Sequence, residues 1–272
     1  MNRTLLAAAA VALLVAAAAH AQVRTEVPRA TNGKPDLSGV WQAINTAHWN
    51  LEPHVSEYPV VLELGAQFAV PPGPGVVVGG EIPYLPEARA ERDKHFASRL
   101  TDDPEGKCYM GGVPRSTYMP YPFQILQSER DVVIYYQFAT AFRRIFVDGK
   151  EEAPLDSWMG WSNGHWDGDT FVVDVTGLNG LTWLDRAGNY ASGSAHITER
   201  YTPRGPNHMQ YEATIEDPTV FSRPWTIRMP LYRLVDENFR VLEFKCEPYA
   251  EEKIYGHLRK PGTGPQPGAS SR

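Results

Sequence analysis

Between Trp158 and Tyr201 the chain interleaves strand-forming apolar runs with Trp158, Trp161, Trp166, Trp183, His165, His196, Asp185 and Glu199. Buried polar groups are costly unless each finds a partner. A concave site, by contrast, needs large apolar walls and a few placed polar groups. This segment is therefore where candidate chemistry concentrates. His196 falls mid-strand, with Ser194, Thr198 and Arg200 on its face and Ile197, Glu199 and Tyr201 on the other. If the first face looks inward, His196 is a general base and Arg200 holds an anion or enolate. If the second does, Glu199 is buried and hydrogen-bonded while His196 is solvated. Asp185, in the loop Thr182–Asn189, would either orient His196 as the acidic member of a triad does or cap its own turn. Arg143 and Arg144 share a strand, so one of them points inward and needs a carboxylate such as Glu243 or Glu247, or a substrate anion. The candidate catalytic set is His196, Asp185, Arg144 and Arg200. Trp158, Trp166, Trp183 and Trp225 are its candidate walls, with Arg115, after Gly-Gly-Val-Pro, as a further substrate contact.

Other motifs carry less. Gly160-Trp161-Ser162-Asn163-Gly164 matches the G-x-S-x-G nucleophile elbow, which works only where a strand turns sharply into a helix. Here it runs into His165-Trp166-Asp167-Gly168 and another strand, so it reads as a chance match in a hairpin. Ser162 activated by a histidine on a different fold is the alternative. His48 and His54, near Glu52 and Glu57, lack a metal-site spacing, and Asp167-Gly168-Asp169 is too short for a calcium loop. Gly-rich phosphate loops are absent, so no cofactor is expected.

The elements that must position these residues are mostly strands. From Pro122 onward come FQILQ, VVIYYQF, FRRIFV, WMGWSNGHW, TFVVDV, SAHITERY, MQYEATI, WTIRMPLYRL and VLEFKCE, separated by turn signals such as Asp148-Gly149 and Asp167-Gly168. With the strand at Trp41 they predict an antiparallel barrel of about nine or ten strands, with a two-sheet sandwich as the alternative. Residues 66–85 are rich in Pro and Gly and predict a long loop. Pro86 opens one helix, expected to run to about Leu100 and, being mostly charged, to lie against the surface.

Residues 1–21 read as a secretory signal peptide: MNRT, an alanine-rich apolar run, then Ala19-His20-Ala21 as a cleavage site. Residues 22–35 are a polar leader, 36–259 a single β-barrel domain, and 260–272 a Gly/Pro/Ser-rich disordered tail. In a bacterium the mature protein would be periplasmic or secreted. Its two cysteines, Cys108 and Cys246, could then pair, stabilising by up to about 5 kcal/mol, or stay as two buried thiols. The formal net charge of −6 disfavours a nucleic-acid partner, and no segment after the signal is long and apolar enough to span a membrane.

Gly39-Val40-Trp41 resembles the G-x-W opening of lipocalin-type (calycin) barrels, in which a tryptophan closes the barrel floor. More broadly, PDLSGVW, CYMGGVPR, FRRIFVDG, GHWDGDTFVVDV, HITERYTP and YEATIEDP resemble the blocks of a large family of secreted, mostly uncharacterised bacterial proteins. The resemblance spans Pro35 to Arg259. Tyr109-Met110-Gly111 departs from the usual proline-containing turn, and an Ala-Ser-Gly-Ser segment precedes His196. It implies a secreted, β-rich domain and brings no reaction with it. Two main readings follow. One is cofactor-independent acid–base chemistry (a lyase, isomerase or hydrolase) on an aromatic or ring-containing small molecule. The other is a lipocalin-like binding or carrier protein. A third is a structural envelope protein with a filled barrel.

Overall fold

The computed structural model describes residues 26–58, 66, 69–255 and 257. The expected signal peptide and the 260–272 tail lie outside the described residues. Nine strands form a closed barrel in chain order. They are β1 (Gly39–Ala43), β2 (Phe123–Gln127), β3 (Asp131–Tyr136), β4 (Phe142–Val147), β5 (Trp161–Asp167), β6 (Thr170–Thr176), β7 (His196–Pro203), β8 (His208–Glu216) and β9 (Trp225–Arg233). β1 pairs with β2 on one side and β9 on the other, so no edge is left to template association. This is the lipocalin-like all-β barrel that the strand pattern and the G-x-W opening imply.

Two details differ from the expectation. β4 and β5 run parallel, Ile145 opposite Ser162, so the barrel is mixed. The cause is the excursion of residues 148–160, which carries the chain back along the barrel before β5 begins. In addition, VLEFKCE is not a strand. With β1 already bonded to β9, the barrel has no vacant edge for a tenth strand, and this segment is instead held outside by a Cys108–Cys246 disulfide.

Alternation decides what fills the interior. Met209, Tyr211, Ala213 and Ile215 point inward from β8, and Trp225, Ile227, Met229 and Leu231 from β9. They meet Phe123, Ile125, Ile134, Ile145, Phe171 and Val173, so the lumen is a packed core. Gly164 faces inward where a Cβ would lie 2.5 Å from Phe171 Cζ, which is the room that ring occupies.

The two barrel ends are unequal. At one end short turns join β2 to β3, β5 to β6 and β7 to β8. There Trp41 donates from its indole to Leu37 O (2.9 Å) and lies under the Arg233 guanidinium at 4.5 Å, closing the floor. The described parts of the long excursions 44–122, 177–195 and 217–224 lie at the other end. Helix α1 (Pro86–Asp102) sits there, two residues longer than expected and with only Ala88 buried, as a mostly charged helix requires. The short helix α2 (Arg115–Tyr118) is buried throughout and plugs this end. Helix α3 (Ala250–Tyr255) follows the disulfide. Among the described residues no helix is long and apolar enough to cross a membrane.

Candidate functional site

Among the described residues, three gatherings of polar groups bear on the question of a site. The first is the lumen. Glu199 of β7, with no exposed surface, accepts from Arg143 Nη2 (2.5 Å), Tyr211 OH (2.6 Å) and Tyr201 OH (3.1 Å). Arg143 Nε donates to Ser162 Oγ at 2.8 Å. Burial by itself would lower the Arg143 pKa, but Glu199 and the neighbouring Tyr136 and Tyr201 raise it well above its ordinary value. Burial raises Tyr136, Tyr201 and Tyr211 in turn, so these phenols stay protonated as donors. The network is bonded within itself apart from Arg143 Nη1, which has no hydrogen-bond partner among the described residues, and it is sealed between the Trp41 floor and α2. It ties β4, β5, β7 and β8 together and is closed off from solvent.

The second place is a clasp that ties the cap segments above α2. Arg115 of α2 binds Asp103 through two bonds (2.8 and 2.9 Å) and Glu105 Oε2 through a third (2.7 Å). Arg186 donates to both oxygens of Glu105, at 3.0 and 2.9 Å, while its guanidinium lies 4.7 Å over Trp49. His48 Nε2 lies 3.1 Å from Glu105 Oε2. Burial alone would raise the Glu105 pKa. His48, Arg186 and Arg115 reverse that and hold it well below the usual carboxylate range. Burial pushes the His48 imidazole down, against the pull of Glu105. Alongside, Asp185 accepts from Leu51 N (2.8 Å), Asn189 N (3.1 Å) and Asn189 Nδ2 (2.6 Å). Burial raises its pKa to about 6 against those three donors. It caps the 184–189 turn, as aspartate does readily.

The third place is a cleft of about 570 Å³ on the outer surface of the cap. One wall is α1, whose residues Glu91, Lys94, His95, Ser98 and Asp102 fall on a single helical face at i, i+3, i+4, i+7 and i+11. The facing wall is Trp158, Leu181, Trp183 and Tyr109. One ring stack builds it, Tyr109 on Trp158 (centroids 4.8 Å, 14° between planes), and a second, His95 on Trp183 (4.6 Å, 21°), joins it to α1. The approach of the two walls is set at Gly188. Its φ is +84°, and a Cβ there would lie 2.7 Å from His95 Cβ and 2.8 Å from Phe96 N. Only glycine lets the 183–190 loop lie this close to α1. In that position Gly188 O accepts from His95 Nδ1 at 3.2 Å, and His95 Nε2 lies 3.7 Å from Glu91 Oε1. The clasp supports the same cleft from below, because Pro104 and Lys107, flanking Glu105, line it.

The four residues expected to act together do not meet. His196 points outward, 42% exposed, with Nε2 3.3 Å from Asp174 Oδ1. The inward face of β7 is the one carrying Ile197, Glu199 and Tyr201. Arg200 pairs on the outer surface with Asp167 at 2.8 Å, and Arg144 with Asp131 at 2.8 Å. Asp185 is buried among donors and does not orient His196. The inward arginine is Arg143, and its carboxylate is Glu199 in place of Glu243 or Glu247. Trp158 and Trp183 do line the cleft. Trp166 instead packs on Phe171 (5.0 Å) toward the barrel floor, and Trp225 is buried against Phe221 (5.3 Å). Arg115 belongs to the clasp. Ser162 faces the lumen within a strand, bonded by Arg143, so Gly160–Gly164 is no nucleophile elbow. Cys108 and Cys246 pair, with Cα atoms 5.7 Å apart. Glu91, Lys94, His95, Ser98, Asp102 and Tyr109 were not singled out from the sequence. The helical spacing of the first five was the only available signal, and it looks the same for any solvated helix face.

No family model matches the chain, and no curated protein matches it in sequence.

Proposed function

We propose that this is a secreted small-molecule-binding protein that holds a ring-containing ligand in the cleft between α1 and the Trp158–Trp183 wall. One observation carries the reading: the Tyr109–Trp158 ring stack lines an open cleft beside the polar face of α1, and the His95–Trp183 stack joins the two walls. Aromatic walls with a few placed polar groups are what ring-binding sites use. The packed lumen, which a transporting lipocalin would keep open for its cargo, favours a site outside the barrel. The alanine-rich leader and the disulfide support an exported, oxidising location. The resemblance of the PDLSGVW and YEATIEDP blocks to those of secreted bacterial proteins points the same way.

The test is mass-spectrometric identification of small molecules retained by the purified protein, followed by calorimetric titration of the retained species into wild type and Trp158→Ala. Binding by wild type that is weakened at least tenfold in the variant supports the reading. Equal binding by the two proteins removes it.

A catalytic version of the same site is favoured by one contact. His95 Nδ1–H donated to Gly188 O fixes the ring and turns Nε2 toward Glu91 and the cleft, the arrangement of an oriented acid–base group. Loss of turnover of the retained molecule in His95→Ala at saturating ligand, beyond its loss of affinity, would establish it. Turnover by neither protein leaves binding alone.

A further inference from the structure

Resting on that reading, we infer that the ligand is a neutral oligosaccharide lying along α1, its ring faces on the Trp158–Tyr109 wall and its hydroxyl edges on the helix. Four features of the cleft lead there. The lining residues of α1 extend from Glu91 to Asp102, eleven positions, which is roughly 16 Å of helix axis. That is a trough for a short chain of rings, longer than a single ring requires.

The polar wall alternates acceptors and donors: the Glu91 carboxylate, the Lys94 ammonium, the His95 imidazole, the Ser98 hydroxyl and the Asp102 carboxylate. Ser98 Oγ already donates to Lys94 O at 3.2 Å, which leaves its lone pairs to accept. A hydroxyl both donates and accepts, so a row of hydroxyls can satisfy such a mixed ladder. A carboxylate or ammonium ligand could satisfy only half of it.

The charges are matched within the cleft itself. Lys94 Nζ lies 2.7 Å from Glu91 Oε2, and Lys107 Nζ 3.7 Å from Asp102 Oδ1. No excess of either sign remains to attract an ion, so the complementary ligand is uncharged.

Finally, the cleft is open. Lys94 and Asp102 keep 74% and 56% of their side-chain surface in water. A bound molecule would leave its outer edge solvated, which is costly for an apolar polycycle and costs little for a sugar. The aromatic wall suits the other aspect of a sugar ring, whose polarised C–H face meets the negative face of an indole.

The experiment uses the intact mature protein and calorimetric titration with four sets of probes. The first contains neutral oligosaccharides of two to six rings (β-1,4-glucose, α-1,4-glucose, β-1,4-mannose and β-1,4-N-acetylglucosamine). The others are oligogalacturonate, an oligosaccharide of glucosamine, and 2-naphthol as a planar ring without a hydroxylated edge. Binding of at least one neutral series, tightening several-fold from two rings to four, supports the inference. So does a roughly tenfold weakening in Trp158→Ala, with a smaller loss in Ser98→Ala. Trp158 is half-buried on the surface, and Tyr109→Ala serves as the second variant should Trp158→Ala fold poorly. Preference for oligogalacturonate or the glucosamine oligomer overturns the neutrality of the ligand. Binding of 2-naphthol alone overturns the sugar and leaves the ring-binding site standing. Absence of all binding overturns both.

Discussion

The barrel lumen and the cleft outside it each combine aromatic rings with charged groups, yet they do opposite things. In the lumen Arg143, Ser162, Glu199, Tyr201 and Tyr211 are fully buried and bonded to one another. In the cleft Glu91, Lys94, His95 and Ser98 keep part of their surface in water, and their bonding capacity is only partly used. A polar group in a dry interior must be matched at the moment of folding, so what it contributes is spent on the native state. A polar group on an open wall exchanges water for ligand at little cost. Charge buried in a barrel is therefore no sign of a site there, and access separates the two regions better than composition does.

The sharpest way to break this contrast is to cut the lumen network. Glu199→Ala leaves Arg143 charged and without its partner, and should cost about 3–5 kcal/mol in denaturant unfolding. Pairing Arg143→Met with Glu199→Gln removes the charge and keeps an amide oxygen for the two tyrosines. The double variant should recover a large part of that loss. Probe binding at the cleft should be unchanged in the double variant. A loss of binding there would show that the lumen reaches the site.

Gly188→Ala attacks the cleft in the same sense. The left-handed backbone and the close contacts with His95 and Phe96 together predict a loss of about 2–4 kcal/mol. They also predict that Trp183 separates from His95, which near-ultraviolet circular dichroism would record as a changed tryptophan signal. Full stability with an unchanged spectrum would mean the loop does not set the wall spacing.

The clasp beneath the cleft should show itself in acid. The Glu105 pKa is lowered in the folded state from its ordinary 4.5. Its contribution is therefore complete above pH 4.5 and lost as pH falls through the folded value. Asp185 has the other sign: raised by burial to about 6, it favours the fold most when protonated, and its ionisation weakens the fold as pH rises through 6. Glu105→Gln should flatten the acid limb of stability against pH by about 1–3 kcal/mol and leave the limb near pH 6 in place. An unaltered acid limb in the variant would sink the assignment.

How far the sequence reveals these regions depends on whether the signal is local. Strand alternation, Asp-Gly turns and the Pro86 helix start are local, and the barrel and α1 follow from them. The β4–β5 parallel pairing is hidden because residues 148–160 carry no pattern stating which way the chain returns. Trp158 and Trp183 could be recognised as walls from residue type. His95 could not, since its role depends on a contact across 93 residues to Gly188. On β7 the sequence showed two faces of different character without showing which was inward. The barrel takes the face bearing Glu199 because Ile197 and Tyr201 share it, and their apolar burial outweighs one carboxylate that tyrosines and Arg143 can satisfy.

That choice leaves His196 outside, and the smallest expected effect is there. Its imidazole meets Asp174 with 42% of each side chain exposed. Such a pair contributes at most a few tenths of a kcal/mol in water. His196→Ala should therefore change stability by less than about 0.5 kcal/mol and leave any probe titration at the cleft unmoved, whereas His95→Ala should weaken it. If instead His196→Ala abolished binding and His95→Ala did not, the outer face of β7 would have to carry the function, and the division between a sealed lumen and an open cleft would no longer describe how this barrel works.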